Sequence, residues 1–313
     1  MRFTILGAGA IGAYVGACLA RGGQEVTLIA RGAHLRAMQE RGVTVEGAFA
    51  VAVDATDDLS AVAEADVVFV ALKAYSLTEV APPLAAHLRA GAATVWAQNG
   101  IPWWYMEGLE SVDPGGVIAS SIPRDSVVGC VVYCSTELVE PGVVRHVEGD
   151  RFSIGEPDGE VSDRCRAIEA AFATGGLKAP VAKDLRDQVW LKLVGNVAFN
   201  PITALTGATL GELAGQPEVV DVVRAMFAEC AAVAERLGAR FPVSLERRMQ
   251  AGFAVGGHKT SMLQDLEAGK PLELDCLSGA VIELADRLGV DVPHVRTVHA
   301  CAKLLAARSG TVA

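Results

Sequence analysis

The chain has 313 residues, which at roughly 150 residues per domain suffice for two domains that bury their cores without disulfides or metals. Hydrophobic residues make up 51% and charged residues 20%, so the composition excludes a disordered chain. The 27 basic and 37 acidic side chains give a net charge of −10, and no basic stripe is present. This balance excludes nucleic acid as an expected partner.

The seven cysteines are an odd number, and none of them forms a CxxC pair or a zinc-type Cys/His spacing. This pattern predicts reduced, mostly buried thiols in a cytoplasmic protein with no metal site. Residues 3–20 form an uncharged run of 18 residues that imitates a membrane anchor. Because a membrane span needs about 20 residues and four glycines interrupt this run, we expect no membrane segment.

The first half of the chain alternates short apolar runs with helix-like runs, which is typical of a parallel sheet covered by helices. Strands are predicted at 3–6, 25–30, 66–71 and 94–97, helices at 11–21, 34–41 and 77–88, and a hairpin at 43–53 around Gly47. Three further strands, at 128–136, 143–147 and 151–154, are expected to extend the same sheet.

Strand patterns end after about residue 181, and helices are predicted over 187–199, 217–237, 245–253, 261–268, 272–288 and 293–307. The predicted fold class is therefore α/β. A Rossmann-type domain with a mostly parallel sheet occupies residues 1–182. An all-α C-terminal domain occupies 183–313.

A glycine motif lies between the first predicted strand and the first predicted helix. Its residues match GxGxxG and are Gly7, Ala8, Gly9, Ala10, Ile11 and Gly12. The first glycine permits a tight turn, the second lets a pyrophosphate approach the backbone, and the third lets helix and strand pack closely. This context predicts a dinucleotide site rather than glycines used only for packing.

Other cofactor contacts are expected where strands end, because parallel sheets bind ligands at that edge. Arg31 follows the second strand where an NAD site usually has an acidic residue, so the sequence favours NADP, as NADPH. Arg36 is an alternative for this role, and Arg31 as a solvated side chain is the plainer interpretation. Lys73 and Asn99 follow the next two strands. A surface lysine and an Asn-Gly turn remain the alternatives for them.

Three polar residues, Lys192, Asn196 and Asn200, recur at every fourth position of an otherwise apolar helix. They therefore form one narrow polar stripe. A buried ammonium and two amides need partners, which a polar substrate would provide; a single solvated face is the other interpretation.

Two more candidates lie further along the chain. Ser261 with Gln264 fits a capping box, so Ser261 either caps its helix or contacts a ligand. Glu273 heads the apolar face predicted for the helix over 272–288. It is therefore either a partnered functional acid or a residue of an exposed first turn.

These features together resemble the 2-dehydropantoate 2-reductase (ketopantoate reductase) family over nearly the whole chain. The motifs are GAGAIG at 7–12, LKA at 72–74, QNG at 98–100, WxKLxxNxxxNP at 190–201, TSMLQD at 260–265 and ELD at 273–275.

The resemblance implies NADPH-dependent reduction of a small-molecule 2-oxo acid, most specifically ketopantoate to pantoate on the route to pantothenate and coenzyme A. By position, Lys192 would be the general acid, and Asn196, Asn200 and Ser261 would hold the substrate. Asn99 would lie between nicotinamide and substrate. Glu273 would bind near the nicotinamide ribose and orient the site. Lys73 and Arg31 would contact the cofactor.

Two departures from the family pattern leave a second substrate open. Leu210 occupies a position where the family often has asparagine, and Trp103-Trp104-Tyr105 follow the predicted nicotinamide end. A bulkier 2-oxo acid is therefore the alternative substrate. A β-hydroxyacid or opine-type dehydrogenase and a non-catalytic NADP sensor are the rival functions. The helical half can bury a dimer interface or pack internally, and of these the homodimer is favoured.

Overall fold

One mixed sheet of nine strands organises the first half of the structure, a computed structural model that describes residues 1–313. The strands in chain order are β1 Arg2–Leu6, β2 Glu25–Ile29, β3 Val43–Val45, β4 Phe49–Val51, β5 Asp54–Thr56, β6 Val67–Val70, β7 Ala93–Trp96, β8 Val127–Glu140 and β9 Val143–Gly155. Across the sheet they follow the order β4-β3-β9-β8-β7-β6-β1-β2-β5. Pairing is parallel except between β8 and β9 and between β3 and β4.

The register of the central strands brings their carboxyl ends to one edge. Leu6, the last residue of β1, pairs with Ile29 of β2 and with Val70 of β6. β6 and β7 are buried along their whole length, as continuous apolar runs predict. The residues that follow β1, β2 and β6 therefore leave the sheet side by side.

Five helices belong to this part of the chain: α1 Ala10–Arg21, α2 Gly32–Arg41, α3 Leu77–His87, α4 Val117–Ser121 and α5 Asp163–Thr174. The sequence interpretation missed α4 and α5. Phe172 of α5 packs against Phe3, Phe69 and Phe152 of three strands, with ring centroids 5.8–6.3 Å apart. Helix α5 thus completes the apolar core on one face of the sheet.

The last two strands in chain order, β8 and β9, are longer than predicted. The two strands predicted at 143–147 and 151–154 are one strand, β9, since Gly149 does not end it. Gly149 has φ +73°, and a Cβ there would come 2.3 Å from the carbonyl oxygen of Tyr133. Register shifts after Tyr133 absorb this residue as a β-bulge, so the hairpin continues through it.

The second half of the chain is helical: α6 Leu185–Thr206, α7 Leu210–Ala214, α8 Pro217–Arg236, α9 Leu245–Phe253, α10 Ser261–Glu267, α11 Ala280–Leu288 and α12 Pro293–Ser309. Helix α6 runs through Pro201, whereas the prediction ended it at residue 199. The helix predicted over 272–288 is wrong in its first part, because a π turn, Asp275–Gly279, precedes α11. None of the helices combines the length and the apolarity that crossing a membrane requires.

The chain divides into two units, and two short segments from its first half belong to the second one. The first unit comprises Met1–Gln98, Pro102–Glu107 and Gly115–Leu185, and the second comprises Asn99–Ile101, Gly108–Pro114 and Arg186–Ala313. The domain boundary proposed at residue 182 stays a prediction. Glu283 of α11 anchors the second short segment by accepting hydrogen bonds from the backbone N–H groups of Glu110 and Ser111 at 3.0 and 2.9 Å.

Candidate active site

The glycine loop between β1 and α1 has the geometry that a pyrophosphate requires. Gly7 has φ +94°, and a Cβ on it would lie 2.9 Å from the backbone nitrogen of Leu72. A Cβ on Gly12 would lie 2.2 Å from the carbonyl oxygen of Gly7. A Cβ on Gly9, by contrast, would meet no atom within 4 Å. Gly9 precedes α1, whose first turn has neither a capping side chain nor an acidic residue, so the site fits an anion.

The end of β2 presents an unpaired guanidinium beside this loop. The loop docks on β2 because the backbone N–H groups of Gly7 and Ala8 both donate to the carbonyl of Ile29. Arg31 follows two residues later as the N-cap of α2, exposed and without a side-chain hydrogen bond or ion pair. Arg36 is also exposed and unpaired. Lys73 lies half-buried after β6, at the same edge of the sheet.

His34, which sequence reasoning missed, supports the start of α2. Its Nδ1 accepts the backbone N–H of Gly142 at 2.9 Å. Burial lowers its pKa, although a nearby backbone group at Ala8 acts in the other direction. A neutral imidazole therefore ties the first turn of α2 to the β8–β9 turn.

In the second unit, the lysine of the polar stripe meets an amide from a distant part of the chain. Lys192 Nζ on α6 donates to Asn99 Oδ1 at 2.6 Å. Asn196 is half-buried and Asn200 is 6% exposed. Neither of these two side-chain amides hydrogen-bonds to the protein, so both remain able to bind a ligand.

The segment that carries Asn99 is held by the π turn. The backbone N–H of Ile101 donates to the carbonyl of Cys276 at 2.9 Å. Gly100 has φ +89°, and a Cβ there would lie only 2.2 Å from the same oxygen. Glu273, which is 8% exposed, lies just before this turn and not on a helix. The structure thus brings Asn99 to Lys192. Glu273 lies three residues before Cys276, the residue that holds the Asn99 segment.

Ser261 is not the cap of its helix, so the predicted capping box is wrong. The N-cap of α10 is Thr260, whose Oγ1 accepts the backbone N–H of Leu263 at 3.3 Å. Gln264 donates instead to the backbone carbonyl of Lys259. The Ser261 hydroxyl, at the first helical position, is exposed and makes no hydrogen bond within the protein.

Thr260 also links α10 to the polar helix. Its Oγ1 lies 2.6 Å from Oγ1 of Thr203, and Thr203 donates to the backbone carbonyl of Asn200 at 2.9 Å. Ser261 is therefore held at the end of α6 that carries Asn200. Neither threonine was a candidate, since a buried pair of hydroxyls leaves no pattern in a single sequence.

The two tryptophans after the QNG motif are core residues of the first unit. Trp103 packs edge-on against Trp96 of β7, with ring centroids 5.2 Å apart. Trp104 lies over Gly129 of β8, where a Cβ would come within 2.4 Å of the indole. These packed indoles give no support to a substrate pocket enlarged for a bulkier 2-oxo acid. Leu210 is buried at the start of α7.

A Rossmann-type sheet with a phosphate loop, joined to a helical unit that carries a lysine, defines a dinucleotide-binding oxidoreductase. Family models described as "Ketopantoate reductase PanE/ApbA" and "Ketopantoate reductase PanE/ApbA C terminal" match residues 3–159 and 184–306. The chain belongs to the ketopantoate reductase family. The resemblance, the fold class and the enzyme class predicted from the sequence are confirmed.

Similar proteins cover the chain from end to end. The 2-dehydropantoate 2-reductase of Mesorhizobium japonicum is 43% identical over 99% of both chains. The crystal structure of a PanE/ApbA family ketopantoate reductase from Ralstonia eutropha is 31% identical, has a TM-score of 0.88, and covers 99% of this chain and 100% of its own. A D-mandelate dehydrogenase, solved with NADH and anilino(oxo)acetate, shares the fold at 18% identity and a TM-score of 0.87, covering 99% and 100%.

Proposed function

We propose that this protein reduces 2-dehydropantoate to pantoate with NADPH, and that Lys192 is the general acid. The observation that carries the proposal is the ammonium of Lys192 held at 2.6 Å by Asn99, on a helix face whose other two amides have no partner in the protein. Relatives of the same length named 2-dehydropantoate 2-reductase support the choice of substrate.

The chemistry needs one proton donor and several groups that orient the substrate. Reduction adds a hydride to the keto carbon and a proton to its oxygen. Lys192 polarises that oxygen and gives up the proton as the alkoxide forms, while Asn99 orients the ammonium. Asn196, Asn200 and Ser261 offer amide and hydroxyl groups to the carboxylate and hydroxyl of the acid.

The first unit would hold the cofactor. When bound, its nicotinamide supplies the hydride. The exposed start of α1 at Gly9 suits the pyrophosphate, and the unpaired guanidinium of Arg31 suits a ribose 2′-phosphate. Lys73 would add a second cation at this edge. Glu273 would accept hydrogen bonds from the nicotinamide ribose and orient the site.

The first experiment follows NADPH oxidation with 2-dehydropantoate for the native enzyme and for Lys192→Ala. We expect kcat to fall by about 10²–10⁴-fold in the variant with little change in NADPH affinity, since a general acid contributes that much. Lys270→Ala is the matched control, because Lys270 is an exposed lysine of the same unit. A native enzyme that is active and a variant with undiminished kcat would exclude Lys192 as the acid.

A bulkier 2-oxo acid is the second candidate substrate, and Leu210 is the observation that favours it. Leu210 is a buried apolar side chain at a position where the family resemblance implies an asparagine. The test compares kcat/KM for 2-dehydropantoate with that for larger aliphatic and aromatic 2-oxo acids. A higher kcat/KM for a larger acid would change the assigned substrate and leave the reaction class unchanged. No turnover of any oxo acid, with tight NADPH binding, would favour the non-catalytic sensor.

The cofactor preference rests on Arg31. Removing a charged hydrogen bond costs about 1.5–3 kcal/mol, so Arg31→Ala should weaken NADPH binding roughly 10- to 100-fold and leave NADH binding unchanged. Arg36→Ala serves as the control, because its guanidinium is equally exposed and unpaired. An effect of Arg36→Ala alone would transfer the role to Arg36, and equal losses for both cofactors would contradict a 2′-phosphate contact.

Two further inferences concern the whole protein. The seven free cysteines suit a reducing compartment, and we infer a cytoplasmic location. The homodimer remains a prediction. Light scattering after size exclusion tests it, since a monomer has a mass of 32.6 kDa and a dimer twice that value.

A further inference from the structure

The π turn at Asp275–Gly279 is fixed from both sides by hydrogen bonds within the second unit. On one side, its Cys276 carbonyl accepts the N–H of Ile101 at 2.9 Å. On the other side, Ser278 Oγ lies 2.7 Å from Nδ1 of His299 on α12. A π turn holds an extra residue per turn and forms only where its surroundings stabilise it, which makes these flanking contacts significant.

The contact between Ser278 and His299 is the stronger of the two links from α12 to the turn. Ser278 is 1% exposed, and Cε1 of His299 lies 3.6 Å from the position a Cβ on Gly279 would take. The other link is the ion pair between Lys303 and Asp275, 3.6 Å long, whose side chains are both more than half exposed. Exposed pairs of this kind contribute little. Losing one member of the part-buried Ser278–His299 hydrogen bond removes a partner from the other.

The imidazole of His299 is suited to a neutral hydrogen bond. Its pKa is lowered, first by burial and then by the nearby ammonium of Lys303, while Asp275 acts in the opposite direction. Ser278 Oγ also lies 3.4 Å from the carbonyl of Leu274. A serine hydroxyl can donate one hydrogen bond and can also accept. Leu274 offers only an acceptor, so the imidazole of His299 supplies the second hydrogen-bond partner of Ser278.

These contacts form an unbroken path from α12 to the proposed general acid. His299 holds Ser278, the turn holds Ile101 through Cys276, and Asn99 two residues earlier holds Lys192. We propose that His299 is a positioning residue for the reaction: acting through Ser278 and the π turn, it fixes Asn99 against the Lys192 ammonium. The proposal rests on the proposed role of Lys192 as general acid.

The experiment combines kinetics with hydrogen exchange on the full-length enzyme. In His299→Ala and Ser278→Ala, we expect exchange at the Ile101 amide and in the π turn to accelerate, with exchange in α8 unchanged. We also expect kcat to fall roughly 5- to 10-fold and KM for NADPH to stay within about twofold, as the loss of one neutral hydrogen bond predicts. The double variant should be no worse than the single ones, because both remove the same contact.

Two further variants separate positioning from general stability. His299→Asn places an amide atom near the position of Nδ1 and should restore slow exchange at Ile101 and most of kcat. His294→Ala is the matched control: this histidine of α12 bonds to Glu229 of α8, at 2.6 Å, and not to the turn. It should change neither Ile101 exchange nor kcat.

The outcomes distinguish this proposal from the proposed function. Unchanged exchange at Ile101 in His299→Ala, or accelerated exchange throughout the second unit, overturns the positioning role whatever the substrate is. Fast exchange at Ile101 with unchanged kcat in an active enzyme also overturns it. A native enzyme that does not turn over 2-dehydropantoate contradicts the proposed substrate instead, and the exchange data still decide whether His299 orders the Asn99 segment.

Discussion

Gly100 directly follows Asn99, the hydrogen-bond partner of Lys192, and its backbone has no room for a side chain. Its φ of +89° disfavours any side chain, and a Cβ would collide with the carbonyl of Cys276 at 2.2 Å. We therefore expect Gly100→Ala to displace Asn99 and lower both Tm and kcat. Gly91→Ala is the control, because Gly91 has φ +80° and open space around it.

The control separates backbone strain from collision. Gly91→Ala should lose about 1–2 kcal/mol of stability from its conformation alone and keep full kcat. Gly100→Ala should be less stable than that and nearly inactive. Thermal melts and steady-state rates measure both quantities. Equal losses of stability and equal kcat in the two variants would contradict the close contact.

At the scale of single residues, the sequence shows side-chain types and their spacing, but it does not show which residues distant in the chain become hydrogen-bond partners. The spacing of Lys192, Asn196 and Asn200 was sufficient to predict a polar stripe, and the helix is there. Nothing local identifies Asn99, 93 residues earlier, as the partner of the lysine. The cap at Thr260 was missed for a related reason, since Ser261 offers the same hydroxyl one position later and only geometry distinguishes them.

The Glu283 carboxylate of helix α11 accepts hydrogen bonds from the segment Gly108–Pro114, which makes this contact dependent on pH. Burial alone would raise the pKa of Glu283, but hydrogen bonds from Ser111, from the Glu110 N–H and from Arg287 outweigh it and lower the pKa. A lowered folded-state pKa means stability that is present above the ordinary carboxyl pKa and is lost as the pH falls through the lowered value.

Glu283→Gln should therefore be less stable than the native protein near neutrality, by about 1–3 kcal/mol. The difference should shrink as the pH falls below the ordinary carboxyl pKa and through the lowered pKa of Glu283, where the native carboxylate takes up its proton. Denaturant melts across this range measure it, with Glu235→Gln, an exposed carboxylate of α8, as the control. A difference that is constant with pH would mean that the charge of Glu283 is immaterial.

The predicted boundaries of two helices are wrong where tertiary contacts override the local sequence preference. The predicted helix ended at residue 199, yet α6 continues through Pro201, and the residues that follow, Ile202, Thr203 and Ala204, are buried in the second unit. The apolar repeat over 272–288 predicted one helix. The carbonyl of Cys276 instead receives the Ile101 N–H, and that long-range bond accompanies the π turn, which no periodicity reveals.

The reactivity of the cysteines depends on the whole fold, because packing buries some of the thiols and leaves others exposed. Burial raises the pKa of Cys18 and Cys165 to about 11 and raises that of Cys230 as well. Cys301 is exposed, and Cys134 is half-buried. Because the thiolate is the reactive form, we expect one fast-reacting thiol in the native protein, Cys301.

Titration with an aromatic disulfide reagent checks this expectation. In the native protein one cysteine should react rapidly with the reagent, and after denaturation all seven should react. Cys301→Ser should lose the fast equivalent and keep its activity. A fast phase that persists in this variant would contradict the assignment to Cys301 and point to the half-buried Cys134 instead.

The position of β3 in the sheet constrains the order in which the molecule can be completed on the ribosome. Thr44 and Val45 pair with Val143 and Val144 of β9, about 100 residues later, whereas β1, β2 and β6 find one another within the first 70 residues. The β3–β4 hairpin therefore leaves the ribosome long before β9. Until β9 follows, the backbone hydrogen-bonding groups along one edge of β3 have no partner strand. Only when β9 has been synthesised can β3 pair with it and join the sheet, so the nascent chain is most exposed to aggregation during that interval.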